Sequence, residues 1–107
     1  MKEMIISTTS EIPNKKVVEI LGVVRGNTVR SRNIGRDIMA AFKNMVGGEI
    51  KSYTELLTQA RDEALNRMIN HAVILNADAV LNVRFMTSSI MAAASEILVY
   101  GTAVKLK

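Results

Sequence analysis

The sequence predicts an α+β domain: an antiparallel three-stranded main sheet in the order early–last–middle, packed on one long helix plus one shorter helix, with an extra short strand at the N-terminus. Three observations carry this expectation. The run Val17-Val18-Glu19-Ile20-Leu21-Gly22-Val23-Val24 is rich in β-branched residues, which favour strands. Apolar residues from Tyr53 to Leu75 recur at helical spacing. Ile97-Leu98-Val99-Tyr100-Gly101-Thr102-Ala103-Val104 is nearly continuous in apolar residues, as a strand covered on both faces should be. The chain has 107 residues, enough for one domain.

Taken in order, Ile5-Ile6-Ser7-Thr8 reads as a short strand, closed by the turn chemistry of Ser10-Glu11-Ile12-Pro13-Asn14. One long strand is expected over residues 16–30, where Gly22 and Gly26 permit a bend or bulge. Asn33 suits the N-cap of a first helix, with Asp37 near the positive end of its dipole. Ile34, Ile38, Ala41, Phe42 and Met45 follow as an apolar stripe, and Gly47-Gly48 stops it. Ser52-Tyr53-Thr54-Glu55 has the form of a capping box, so the long helix is expected over residues 53–75. Its buried face is Tyr53, Leu56, Leu57, Ala60, Ala64, Met68, Ala72 and Leu75, and Asn76 suits a left-handed cap. Leu81, Val83 and Phe85 alternate with Asn82, Arg84 and Met86, the pattern of a half-buried strand. The apolar last strand then belongs in the centre, between the early strand and residues 80–87.

That arrangement leaves apolar surface over. One helical layer covers one sheet face, yet both sides of the last strand are apolar. The connector Ile90-Met91-Ala92-Ala93-Ala94 is apolar where a hairpin tip is ordinarily polar. Such surfaces mark subunit contacts, and a closed homo-oligomer is expected.

Composition narrows the chemistry. The absence of Cys excludes disulfide scaffolds, thiolate metal sites and thiol nucleophiles. The single His, His71, leaves no multi-histidine site within one subunit and argues against histidine-dependent triads. The net charge is +4, with a local excess at Arg25, Arg30, Arg32 and Arg36. The four aromatics Phe42, Tyr53, Phe85 and Tyr100 do not interleave with it, so nucleic acid is not expected as a partner. The N-terminus lacks the apolar run of a secretory signal. Residues 85–104 carry Glu96 as their sole charge, but Thr87, Ser88, Ser89, Ser95, Gly101 and Thr102 divide them into two strands. A soluble, cytoplasmic protein with no membrane partner is expected.

Gly47-Gly48-Glu49-Ile50, Tyr53-Thr54-Glu55-Leu56-Leu57, Ala60-Arg61, Asn76-Ala77-Asp78-Ala79-Val80 and Tyr100-Gly101-Thr102-Ala103-Val104 resemble the YbjQ-like family of small bacterial and archaeal proteins. Leu21-Gly22-Val23-Val24-Arg25-Gly26 and Asn33-Ile34 match its N-terminal part, so the resemblance spans residues 1–107 as a single domain. It implies a dodecin-like subunit fold, with extra short strands that help assemble a homopentameric ring. It also implies a heavy-metal-binding label, to which no reaction or physiological ligand is attached. Asn76 stands where the family more often has Gly, and both residues tolerate a left-handed cap.

Soft metals take thiolate, thioether or imidazole ligands. This chain offers His71 and the methionines Met1, Met4, Met39, Met45, Met68, Met86 and Met91, several of them on apolar helical stripes. Metal binding is therefore expected only as a property of a ring, where copies of one carboxylate or His converge on the axis, and no metal ligands are assigned. Arg30, Arg32 and Arg36 lie beside an expected helix N-terminus, which is the recipe for a small-anion site such as one for a phosphate-bearing metabolite. Glu49, Tyr53 and Arg61, together with Glu63, could form a hydrogen-bonded pocket, or an ion-pair network fixing the helix at a subunit boundary. No nucleophile–base pair is recognisable, so no enzyme is expected, and no cofactor is assigned.

Overall fold

The structure is a computed structural model that describes residues 3–30, 50–91 and 94–107. Four strands and one helix lie within them: β1 (Ile5–Ile6), β2 (Val17–Arg30), α1 (Ile50–Ile74), β3 (Ala79–Met91) and β4 (Ala94–Leu106). They form one sheet in the order β1-β3-β4-β2. β4 is antiparallel to both β2 and β3, whereas β1 runs parallel to β3, with Ile5 opposite Ala79 and Ile6 opposite Val80.

Two parts of the expected fold are corrected by this architecture. The sheet is four-stranded and mixed, not three-stranded and antiparallel. The N-terminal segment joins it because Ile5 and Ile12 pack over Ala79, Leu81 and Val104 on the face that α1 does not cover. Among the described residues there is one helix where two were expected; the shorter one, over residues 33–45, lies outside them.

Local features follow from particular residues. α1 already includes Ile50, so Ser52 sits inside the helix and not at its N-cap. The C-terminus behaves as Asn76 suggests, with φ at 63°. Ala77 N–H donates to the Ala72 carbonyl at 3.1 Å and Asn76 N–H to the Val73 carbonyl at 2.9 Å, the two bonds of a Schellman cap. The register of β2 on β4 shifts between Ile20 and Gly22, where Gly22 takes φ 128°. Gly26 serves differently: a Cβ there would overlap the Ala64 carbonyl oxygen and the Met68 amide nitrogen of α1. Its missing side chain lets the helix backbone rest on the strand.

Ala60, Ala64, Met68 and Ala72 form the wholly buried stripe of α1. They pack on Val24, Val80, Val83, Ile97, Val99 and Ala103, which makes the main core. α1 lies chiefly over β2, less over β4, and scarcely touches β3. Consequently Phe85, placed by alternation on the buried face of a half-buried strand with Leu81 and Val83, is 49% exposed. The alternation also breaks earlier: the β3 register slips by one residue between Leu81 and Arg84, with Asn82 at φ 54°. That bulge sends Leu81 to the far face and Val83 to the helix face.

β3 and β4 continue to Met91 and from Ala94, so the expected apolar connector is mostly strand, and only residues 92–93 lie outside the description. The chain measures 54 × 27 × 24 Å with a radius of gyration of 17.1 Å, against about 13 Å for a compact domain of this length.

Candidate functional site

The richest polar constellation runs along the outer edge of β2, where α1 lies antiparallel to the strand. Glu63 and Arg67, one helical turn apart, form an ion pair at 2.6 Å. The Arg67 guanidinium also donates to the Asn27 carbonyl on β2 at 2.5 Å. Asn27 Nδ2 donates to Glu96 Oε2 on β4 at 3.0 Å, which extends the chain of contacts across the sheet. One turn further along α1, His71 Nδ1 accepts the Arg25 amide hydrogen at 3.3 Å. This bond requires the imidazole to be unprotonated at Nδ1. Buried beneath, Thr28 Oγ1 donates to the Ala60 carbonyl at 3.3 Å.

Chemically, this array binds the protein to itself. Arg67 satisfies a strand carbonyl and His71 a strand amide, both of which would otherwise be open on a sheet edge. Sequence reading missed Arg67, Asn27 and Glu96 as a group. The Glu63–Arg67 spacing was the available signal, because residues four apart on a helix are neighbours.

A second feature is a shallow cleft of about 270 Å³ between Glu3, Ile5, Lys15, Asp78, Leu106 and Lys107. It is smaller than ordinary small-molecule sites, which run from roughly 300 Å³ upward. Its Asp78 carboxylate accepts the Leu106 amide at 2.8 Å and lies 3.7 Å from Lys105 Nζ. Lys105 Nζ in turn donates to the Asn76 carbonyl, so these groups tie the helix cap to the end of β4.

The site residues read from the sequence do not form one described cluster. Arg30 is the last residue of β2, opposite Ser95, and its side chain is outside the description. Arg32, Arg36 and Glu49 lie outside the described residues. Tyr53 is placed by its backbone alone, in the first turns of α1, while Arg61 is exposed further along the helix. Among the described residues no group of three His, Cys, Asp or Glu side chains could hold a metal ion. The single imidazole is engaged by the Arg25 amide through one nitrogen, and there is no thiolate. The donor set described within one subunit therefore does not fit a soft-metal centre. No helix among the described residues is long and apolar enough to cross a membrane.

Comparison with known proteins agrees on the family. The YbjQ family model, described as "Putative heavy-metal-binding", matches residues 4–107. A UPF0145 protein of Archaeoglobus fulgidus is 62% identical over 106 residues, covering 99% of this chain and 98% of the relative. A UPF0145 protein of Thermosipho melanesiensis is 61% identical over 103 residues, covering 96% and 95%. Among solved structures, a protein of unknown function from Pediococcus pentosaceus, assigned to the DUF74 family, aligns with a TM-score of 0.63. It covers 97% of this chain and 98% of its own at 17% identity, which supports the fold alone.

Proposed function

Since this chain belongs to the YbjQ family, we propose that it works as a homo-oligomeric ring, a binding and assembly module with no catalytic step of its own. The observation that supports this reading is the apolar surface left exposed on the described strands and helix. Val18, Ile20, Val23, Val29, Val73, Ile74, Phe85 and Met86 are all about half exposed or more, which gives that surface its apolar character. Five copies is the number the family resemblance implies.

Part of the apolar surface foreseen from the sequence is covered by the chain itself, since Ile5, Ile12 and Leu106 shield one end of the far sheet face. Val18, Ile20 and Val23 on β2, Ile74 on α1, and Phe85 and Met86 on β3 remain exposed. The non-catalytic reading draws on the polar groups along β2, which hold backbone and each other. Cytoplasmic location is part of the same proposal. Native mass spectrometry of the untagged protein tests it by reading stoichiometry and retained ligands together. A closed multimer of the 11.8 kDa subunit is expected, and a monomer as the sole species would overturn the proposal.

A further inference from the structure

We propose that the sheet face turned away from α1 binds single-stranded nucleic acid, with Tyr100 stacking on a base and Arg25 and Arg84 holding the phosphates on either side of it. This names a ligand class for the binding half of the proposed module and rests on that reading.

The strand register places the three residues. Arg25 on β2 and Arg84 on β3 both stand directly opposite Tyr100 on the central strand β4. Directly opposed residues of an antiparallel sheet share a face, with Cβ atoms about 4.5–5.5 Å apart. Their chain neighbours fix which face it is. Val24, Val83 and Val99 belong to the core under α1, and a Cβ on Gly26 would run into the helix. Side chains alternate along a strand, so Arg25, Arg84 and Tyr100 project from the other side. The two arginines therefore flank the ring at a span of about 10 Å, twice the spacing of neighbouring strands.

None of the three is fully occupied. Among the described residues the Arg25 guanidinium and the Tyr100 hydroxyl make no hydrogen bond, and no carboxylate lies within ion-pair distance of either arginine. Arg84 gives Nη1 to the Thr8 and Val83 carbonyls, which leaves Nη2 and Nε without a described partner. Both arginines are exposed and Tyr100 is half-buried. Glu96, the acid on this face of β4, is four residues from Tyr100, about 13 Å along the strand, and already accepts from Asn27 Nδ2. Salt screens it at that distance. Ile5, Ile12 and Leu106 cover Ala79, Leu81 and Val104 at one end of the face and stop short of the row.

The chemistry of the row selects its ligand. Along the chain no aromatic interleaves with the arginines, but across the sheet one does. An aromatic ring between two cations is a platform for a base and its phosphates. A free mononucleotide carries phosphate on one side only and leaves the second guanidinium unmet. In a duplex the bases are stacked inside, out of reach of Tyr100. A single strand offers each base with a phosphate on either side. The net charge of +4 adds long-range attraction.

Fluorescence anisotropy of a labelled oligothymidylate, titrated with the full chain from about 50 to 200 mM salt, tests this. The wild type should bind it in preference to a duplex of the same length and to thymidine monophosphate. Tyr100→Ala should weaken binding by about tenfold, and Tyr100→Phe should retain it. Arg25→Gln and Arg84→Gln should each lower the slope of log affinity against log salt by about 0.7. Arg25→Gln keeps the backbone amide that His71 accepts, so its fold is preserved. Equal binding of duplex and single strand, or unchanged salt slopes in both arginine variants, would overturn the proposal. Absence of binding by the wild type at the lowest salt would do the same, while a multimer on native mass spectrometry would leave the ring reading standing. Arginine variants that alter stoichiometry but not binding would make the row a subunit contact and overturn the site. A monomer that binds with the expected variant pattern would overturn the ring alone and support the site.

Discussion

Replacing Gly26 with alanine tests the helix–strand contact on which the fold depends. The added methyl would meet backbone, the Ala64 carbonyl oxygen and the Met68 amide nitrogen, and stand 2.9 Å from Arg67 Cβ. Backbone atoms of a regular helix cannot rotate away, so α1 must lift from β2. Overpacking ordinarily costs 1–3 kcal/mol, and a collision with backbone belongs at or above the top of that range, about 3 kcal/mol. A domain of this size has roughly 5–15 kcal/mol in all. Near the midpoint each kcal/mol moves Tm by about 4–8 °C, so a fall of roughly 12–24 °C is expected. Lifting α1 also separates Arg67 from the Asn27 carbonyl and His71 from the Arg25 amide. Circular-dichroism melts at matched subunit concentration are the assay, because assembly makes Tm concentration-dependent. Gly101→Ala is the control. Its methyl would approach Val80 Cγ1 at 2.6 Å, the Leu81 carbonyl oxygen at 3.0 Å and Val83 Cγ2 at 3.2 Å, two of which are side-chain atoms able to shift. Its loss should be smaller. A Gly26→Ala protein melting within 3–4 °C of wild type, under about 1 kcal/mol, would refute the close seating of the helix on this strand.

Three further outcomes are expected. Asn76→Gly should leave stability unchanged or slightly raised, and Asn76→Ala should cost about 1 kcal/mol by chemical denaturation, since φ is 63°; equal effects would dismiss the left-handed cap as the cause. Thr28→Val, at a site 1% exposed, should cost about 1 kcal/mol through loss of the hydrogen bond to the Ala60 carbonyl; a gain in stability would show that this bond contributes nothing net. Equilibrium dialysis with zinc or cadmium should find no metal retained at one ion per subunit, because the chain has no Cys and one His. Tight uptake at that ratio would refute the mismatch between the donor set and the family's description.

Much of the fold was legible where a single periodicity governs a single element. The β-branched run gave β2 almost to the residue, and the helical stripe identified Ala60, Ala64, Met68 and Ala72 as core. Asn76 announced its own conformation because few residues accept positive φ. The failures share a cause, which is that neighbours in space decided what local pattern suggested otherwise. Ser52–Glu55 satisfies the capping-box pattern, yet the backbone is already helical before it. Leu81 and Val83 look like one face of a strand until the bulge at Asn82 divides them between two cores. Phe85 alternates correctly but lies on a strand that α1 scarcely reaches. β1, two residues long, is too short to show any period, and only its parallel pairing with β3 makes it part of the sheet. The polar edge array was harder still to read. Asn27, Arg67 and Glu96 are far apart in sequence, and two of the bonds involve backbone atoms that composition does not reveal.

Sedimentation velocity across a dilution series into the nanomolar range, with circular dichroism recorded on the same samples, tests the central claim most directly. The account predicts that native secondary structure and a multimeric boundary persist together. On dissociation, the exposed strand segments around Ile20 and Phe85 should lose order along with their partners. A stable particle of 11.8 kDa with full β-sheet signal would contradict it, because a lone subunit would then tolerate the exposed apolar surface that copies of itself are proposed to cover.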